Sequence, residues 1–148
     1  MPDVDIVLAA TGGGFATAIK ASKPGVRIIG IEPAGAPTLH DSAKAGNLVT
    51  LDRIQSKVSA LSAKRSDQIN LDLIGKNVER IVLVTDEQMR DAARWLWKKL
   101  GIAELSALLA GKVELPKNAK IYAVICGAGS DGIAWAPTAR LRPLPLAF

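Results

Sequence analysis

Four short apolar runs constrain the fold of this chain more than any other feature of its sequence. They occupy residues 5–9, 27–31, 80–84 and 121–125. Each run is continuous, whereas a strand with one face in water alternates apolar and polar residues. A continuous run indicates a strand that is buried on both faces, as in a parallel sheet covered by helices. The sequence therefore predicts a mainly parallel sheet of four strands.

Helix signals occupy the segments between these runs. The first helix is predicted to begin after the glycines at 12–14 and to end near Ser22. Two more are predicted over residues 37–45 and 66–73, because Gly46 and Gly75 stand where helices commonly end. Thr85 and Gln88 form a capping box that starts a fourth helix, with Gly101 at its end, and a fifth covers residues 104–110. Alternating strands and helices predict an α/β three-layer sandwich.

Length and composition narrow the classes of protein. The 148 residues suffice for one domain, and 49% hydrophobic residues indicate a globular chain. The formal net charge is +5, but Lys and Arg are scattered, so no nucleic-acid partner is predicted. No signal peptide and no apolar run of about 18 residues is visible, so we expect no membrane span and a cytoplasmic location. The chain has one cysteine, Cys126, which excludes an intramolecular disulfide. It has one histidine, His40, which excludes a multi-histidine metal site.

A run of three glycines lies between the first predicted strand and the first predicted helix. Glycines at 12–14 permit positive φ and a close approach of backbone N–H groups to an anion. The start of the helix adds a partial positive charge, so the segment is predicted to bind a phosphate. A tight turn without a ligand is the alternative. Gly12, Gly14 and Glu32 partly match the dinucleotide-binding pattern, but Thr17 stands where its third glycine is expected.

Longer stretches resemble a known family. The sequence resembles the serine/threonine dehydratase branch of the fold-type II, tryptophan synthase β-like enzymes, which depend on pyridoxal phosphate (PLP). The resemblance covers about residues 2–132 and rests on the shared order of many segments. These are residues 2–7, 12–14, 23–33, 36–39, 49–54, 82–87, 95–97, 107–112 and 125–127.

The resemblance implies a cofactor and the residues that would hold it. In this family the glycine loop binds the phosphate of PLP, here through Gly12, Gly13 and Gly14, with Thr11 in place of the family's first glycine. Cys126 matches the Ser or Cys that faces the pyridine nitrogen, and a small buried hydrophobe is its alternative role. Some members bind a divalent cation through three groups: a glutamate that matches Glu32, a backbone carbonyl that matches Ala36, and an acidic side chain at the position of Thr38. Thr38 supplies no acid, so no metal is predicted.

Departures from the family pattern shape the functional hypothesis. The resemblance covers the C-terminal half of the family, and the lysine that binds the cofactor covalently lies in its N-terminal half. The chain is therefore expected to be a truncated relative of threonine/serine dehydratases (amino-acid ammonia-lyases) that binds PLP weakly or not at all and lacks normal lyase activity. Its expected partners are a small anion or PLP, a second copy of itself, or a complementary N-terminal half. The α/β domain is predicted over residues 1–132 and a Pro-rich extended tail over residues 133–148.

Two other functional classes stay open. A nucleotide binder would use Gly12, Gly14 and Glu32. A small hydrolase would use His40, Asp41 or Ser42, although sequence neighbours in a helix are not expected to face each other, so a triad would need distant partners. Trp95 and Trp97 are expected to point to different helix faces, one toward the core.

Overall fold

The computed structural model describes residues 3–58 and 61–99, positions 111, 113 and 116, and residues 118–123. Within them the chain forms four strands and four helices. In chain order these are β1 (Ile6–Ala10), α1 (Gly13–Ser22), β2 (Arg27–Pro33), α2 (Thr38–Ala45), α3 (Gln68–Asn77), β3 (Arg80–Val84), α4 (Asp86–Lys99) and β4 (Ile121–Ala123). None of the helices in the described part of the chain combines the length and apolar content that a bilayer crossing requires.

The strands form one sheet in the order β3-β2-β1-β4, and every neighbouring pair is parallel. Ile6 of β1 pairs with Arg27 of β2 on one side and with Ile121 of β4 on the other. Strand β2 continues to Pro33, two residues beyond its predicted end, because it pairs with β3 as far as Val84. The predicted parallel four-stranded sheet is thus confirmed.

Helices cover both faces of the sheet. Side chains alternate between faces along a strand, so Ile6 and Leu8 pack with Met89 of α4 on one face. Val7, between them in the sequence, packs with the buried residues of α1 on the other face. Helices α2 and α3 bury a third cluster, which contains Leu39, Leu71 and Ile74. This arrangement confirms the predicted three-layer α/β sandwich.

Local signals place several helix ends correctly, although α1 begins at Gly13, within the glycine run and not after it as predicted. Helix α2 ends at Gly46, whose φ of 70° is the left-handed conformation that glycine adopts easily. Helix α4 begins with the predicted capping box, in which the Gln88 amide donates to Thr85 Oγ1 over 3.2 Å and the Thr85 amide donates to Gln88 Oε1 over 3.0 Å. The predicted ends of the third helix are wrong. Helix α3 begins after Asp67, whose carboxylate caps it, and continues through Gly75, where no left-handed turn forms.

Several sequence predictions concern residues beyond those described. They are the end of α4 at Gly101, the helix at 104–110, Cys126, the tail at 133–148 and the side chains of Trp95 and Trp97.

Candidate functional site

The candidate site lies where β1 and β2 end. The glycine turn, residues 11–14, follows β1 and leads directly into α1, while Glu32 lies near the end of β2. A crevice of about 290 Å³ opens beside them. Its lining includes Thr11, Gly12, Glu32, Thr38, Ser66 and Asn70. Parallel α/β sheets bind ligands outside the carboxyl ends of their strands, which makes this crevice the candidate binding site.

The glycines of the turn provide space rather than unusual dihedral angles. Gly12 is extended, with φ −103° and ψ 104°, and the described glycines with positive φ are Gly46 and Gly111. Residues 12–14 therefore do not adopt the positive φ that glycine permits. A Cβ on Gly13 would lie 2.7 Å from Leu73 Cβ, whereas a Cβ on Gly14 would have no atom within 4 Å. Gly13 lets α1 approach α3, and Gly14 leaves the surface of the turn open.

The backbone N–H groups of the turn differ in their partners. The Gly12 N–H donates to the Ala10 carbonyl over 2.7 Å, and the Gly13 N–H donates to Asn70 Oδ1 over 2.7 Å. No acceptor within the described ranges takes the Gly14 N–H, and Gly14 is exposed. The first turn of α1 holds no acidic side chain that would offset the positive end of the helix dipole. An exposed donor at such a helix start fits a phosphate group.

Glu32 is a buried carboxyl group that links the glycine turn to α2. Its side chain accepts hydrogen bonds from Thr11 Oγ1 at 3.1 Å, from the Leu39 amide at 3.0 Å and from the His40 amide at 2.8 Å. Only 5% of the residue is exposed, and this burial raises the pKa of Glu32, against the lowering effect of the hydrogen bonds. Because both carboxylate oxygens already have donors, the geometry does not favour the ribose-binding role that the nucleotide-binding hypothesis required.

The residues that match the family's cation ligands have other partners here. The Ala36 carbonyl accepts from the Thr38 amide over 3.0 Å, and the Thr38 hydroxyl donates to the Ala63 carbonyl. No group of three or more His, Cys, Asp or Glu side chains suited to a metal ion occurs in the part of the chain that the structure covers.

The residues of the hydrolase hypothesis do not form a triad together. His40 Nδ1 lies 2.8 Å from Asp41 Oδ1, so the expectation that these sequence neighbours would not meet is wrong. Both side chains lie near the start of α2 and are partly exposed. Ser42 is fully buried, donates to the Thr38 carbonyl over 2.6 Å and accepts from the Val49 amide over 3.0 Å. Ser42 therefore holds the end of α2 in place and does not face the His40–Asp41 pair.

Asn70 is a site residue that the sequence patterns do not reveal. Its side chain reaches from the first turn of α3 to the glycine turn, 57 residues earlier in the sequence. The cap formed by Asp67 predicts a helix start near this position, but no local pattern predicts which loop the Asn70 side chain contacts. Only the packing of α3 against α1 brings the two segments together.

The fold and crevice define a parallel α/β domain with a glycine turn at the carboxyl edge of its sheet. The family model described as "Pyridoxal-phosphate dependent enzyme" matches residues 1–127. The chain therefore belongs to the family of pyridoxal-phosphate-dependent enzymes, as the sequence resemblance predicted.

Curated relatives support the dehydratase branch. The phenylserine dehydratase of Ralstonia pickettii is 32% identical over 146 residues, covering 90% of this chain and 44% of that enzyme. The L-threonine ammonia-lyase of Geobacter sulfurreducens is 30% identical over 143 residues, covering 88% of this chain and 35% of the relative. The chain thus spans between a third and a half of the length of these relatives.

Solved structures confirm the fold. The processed form of threonine deaminase isoform 2 from Solanum lycopersicum superposes with a TM-score of 0.73 at 23% identity, over 88% of this chain and 42% of that one. The serine racemase from Dictyostelium discoideum superposes with a TM-score of 0.75 at 20% identity, over 88% of this chain and 46% of that one. At these identities the superpositions show a shared fold.

Proposed function

We propose that this chain is the phosphate-anchoring part of a PLP-dependent enzyme of the threonine/serine dehydratase type. The observation that carries the proposal is the turn after β1. Gly14 is exposed there, its N–H has no acceptor in the described structure, and α1, which begins at Gly13, has no acidic residue in its first turn. Family membership makes the phosphate of PLP the anion that such a turn would bind. A free inorganic phosphate would use the same donor.

The three glycines would have different roles in this site. Gly14 would donate its N–H to the phosphate, and the exposed Gly12 would let the anion approach the backbone. Gly13 would hold α1 against α3, because its N–H already bonds to Asn70. Cys126 would face the pyridine nitrogen, a role that rests on the family resemblance alone. When bound, PLP supplies an electron sink for carbanion chemistry on amino acids, while the protein positions it.

We further propose that this sequence does not supply the covalent amine. None of its lysines matches, by position, the family lysine that binds the cofactor. Lyase turnover would therefore require residues from a complementary N-terminal half of the same family. In its absence the chain would bind PLP noncovalently and weakly. Its single cysteine suits a reducing compartment, and the cytoplasm is the proposed location.

A comparison of PLP with pyridoxal tests the phosphate anchor. Pyridoxal lacks only the phosphate, so a chain with this anchor should bind PLP more tightly by about tenfold. Binding would be followed by the cofactor's absorbance, with inorganic phosphate as a competitor. Borohydride reduction followed by mass spectrometry would report any covalent lysine adduct. Equal affinity for PLP and pyridoxal would contradict the phosphate anchor, and a single trapped lysine would contradict the missing amine.

Two matched variants assign the binding to the turn. Gly14→Asp adds a negative charge at the helix start, where there is space and where an acid favours the helix. It should lower the affinity for inorganic phosphate by about tenfold or more. Gly25→Asp makes the same chemical change at another exposed glycine with no atom within 4 Å of its added Cβ. That control should retain the wild-type affinity, and equal losses in both variants would place the anion elsewhere.

A further inference from the structure

The side chain of Asn70 holds the glycine turn from both ends. Asn70 Oδ1 accepts from the Gly13 N–H over 2.7 Å, and Asn70 Nδ2 donates to the Thr11 carbonyl over 3.4 Å. A single carboxamide thus pairs with one backbone donor and one backbone acceptor, two residues apart. The shorter bond is the stronger of the two. Because it engages both ends, the carboxamide favours one conformation of the residues between them.

Neighbouring groups orient this carboxamide. Asn70 Nδ2 also donates to Ser66 Oγ over 3.0 Å, which directs the NH₂ group away from Gly13 and leaves the oxygen facing its N–H. The backbone N–H of Asn70 donates in turn to the Asp67 carboxylate over 2.7 Å. Gly13 is buried and leaves little space for movement, since an added Cβ there would lie 2.7 Å from Asn70 Oδ1. The contact is therefore built into the start of α3.

We propose that Asn70 is a positioning residue for the anion-binding turn, an inference that rests on the proposed function. Because Asn70 already accepts from the Gly13 N–H, the next amide, that of Gly14, would donate to the anion. Asn70 would act through the turn and would not touch the phosphate itself. The ligand class is a phosphate monoester or inorganic phosphate.

A second asparagine on the same helix provides a matched control. Asn77 Nδ2 donates to Thr17 Oγ1 over 3.0 Å, so Asn77 also connects α3 to α1, about two turns from the glycine turn. Asn70→Ala and Asn77→Ala each remove a carboxamide from the α1–α3 interface. Only the first removes the contact with Gly13. A merely structural role for Asn70 predicts similar effects of the two variants on binding.

The first measurement is the affinity of each 148-residue variant for inorganic phosphate and the ratio of its affinities for PLP and pyridoxal. We expect Asn70→Ala to weaken phosphate binding by about threefold to tenfold and to lower that ratio equally. Asn77→Ala should change both by less than about twofold. Equal losses in the two variants, or no loss in Asn70→Ala, would overturn the proposal.

Amide hydrogen exchange without ligand separates this proposal from the proposed function. The Gly13 amide should exchange at least about tenfold faster in Asn70→Ala than in the wild type, and remain unchanged in Asn77→Ala. Unchanged exchange in Asn70→Ala would overturn the positioning role, whatever the chain binds. A wild type that binds neither phosphate nor PLP, with fast exchange in Asn70→Ala, would overturn the proposed function and the anion role of the turn, leaving only the contact.

If Asn70→Ala does not fold, Ser66→Ala is the milder variant. It retains the Asn70 side chain and removes only the hydroxyl that orients its NH₂ group. Faster exchange of the Gly13 amide and weaker phosphate binding, both smaller than the effects expected for Asn70→Ala, would support the proposal. Wild-type values for both would overturn it.

Discussion

Glu32 shows how the partners of a single residue decide between the roles its sequence position allows. From the sequence, this acid at the end of the second strand fitted a ribose contact or half of a cation site. In the structure its carboxylate instead accepts from Thr11, 21 residues earlier, and from the first amides of α2. The position of Glu32 could be predicted because strands end at recognisable points. Its partners could not, because they depend on how α2 packs over the sheet.

The buried state of Glu32 predicts a dependence of stability on pH. Burial raises the pKa of Glu32 above 4.5, so in the interval above that value the folded chain retains a proton that the unfolded chain has released. The contribution of Glu32 to the free energy of unfolding therefore falls as pH rises through this interval. Glu32→Gln should remove this dependence on pH. Measured by urea unfolding, the free energy of unfolding of the wild type minus that of the variant should decline from acidic to neutral pH.

Glu79→Gln is the control with the opposite sign. The Arg27 guanidinium, bonded to the exposed Glu79 carboxylate, lowers the pKa of Glu79. Stability from that pair is present near neutral pH and declines as pH falls through the lowered pKa, with a small amplitude because the pair is exposed. If the difference in the free energy of unfolding between the wild type and Glu32→Gln is constant, or rises with pH, the raised pKa of Glu32 is contradicted.

Helix ends and helix partners differ in how well the sequence predicts them. Local chemistry explains the ends that were predicted correctly, since Gly46 and the Thr85–Gln88 box act within one turn of the backbone. The predicted end of the third helix at residue 73, just before Gly75, is wrong, because Gly75 does not adopt the left-handed conformation that Gly46 provides as a cap, and α3 continues to Asn77. Which helices touch is a long-range property, so the packing of α1 on α3 through Gly13 had no sequence signal.

Two neighbouring glycines test the α1–α3 contact. Gly13→Ala would place a Cβ 2.7 Å from Leu73 Cβ, and we expect it to lower the free energy of unfolding by about 1–3 kcal/mol. Gly14→Ala meets open space and replaces a flexible residue in a helix, so it should leave stability unchanged or raise it by up to about 1 kcal/mol. Urea unfolding measures both values. Similar losses in the two variants would show that the close approach of the helices is not what requires Gly13.

At the scale of the whole molecule, burial patterns predicted more of the fold than of the site. Continuous apolar runs indicated a parallel sheet covered on both faces, because only double burial removes the alternation of strand residues. The spatial order β3-β2-β1-β4 could be seen only in the structure, because the composition of an apolar run does not determine which strands lie beside it. In the site, the glycine turn was visible as a motif, whereas the division of roles between Gly13 and Gly14 depended on Asn70.

The expected self-association stays a prediction, and the exposed apolar side chains provide a way to test it. The exposed large apolar side chains in the described ranges are Phe15, Ile54 and Ile69, the last 74% exposed. A second copy of the chain can cover exposed apolar side chains such as these. We therefore expect the wild-type chain to form dimers or larger species, measured by sedimentation velocity over a range of concentrations.

Ile69→Lys should shift the chain toward monomer, because it places a charge on the most exposed of these apolar side chains. Gln68→Lys adds the same charge at the neighbouring exposed position, where it can still pair with Asp72 one turn along α3. The control therefore separates loss of an apolar contact from the general repulsion of a chain whose net charge is already +5. A wild type that sediments as a compact monomer would contradict self-association. Equal shifts in both variants would show that charge, not the Ile69 surface, controls assembly.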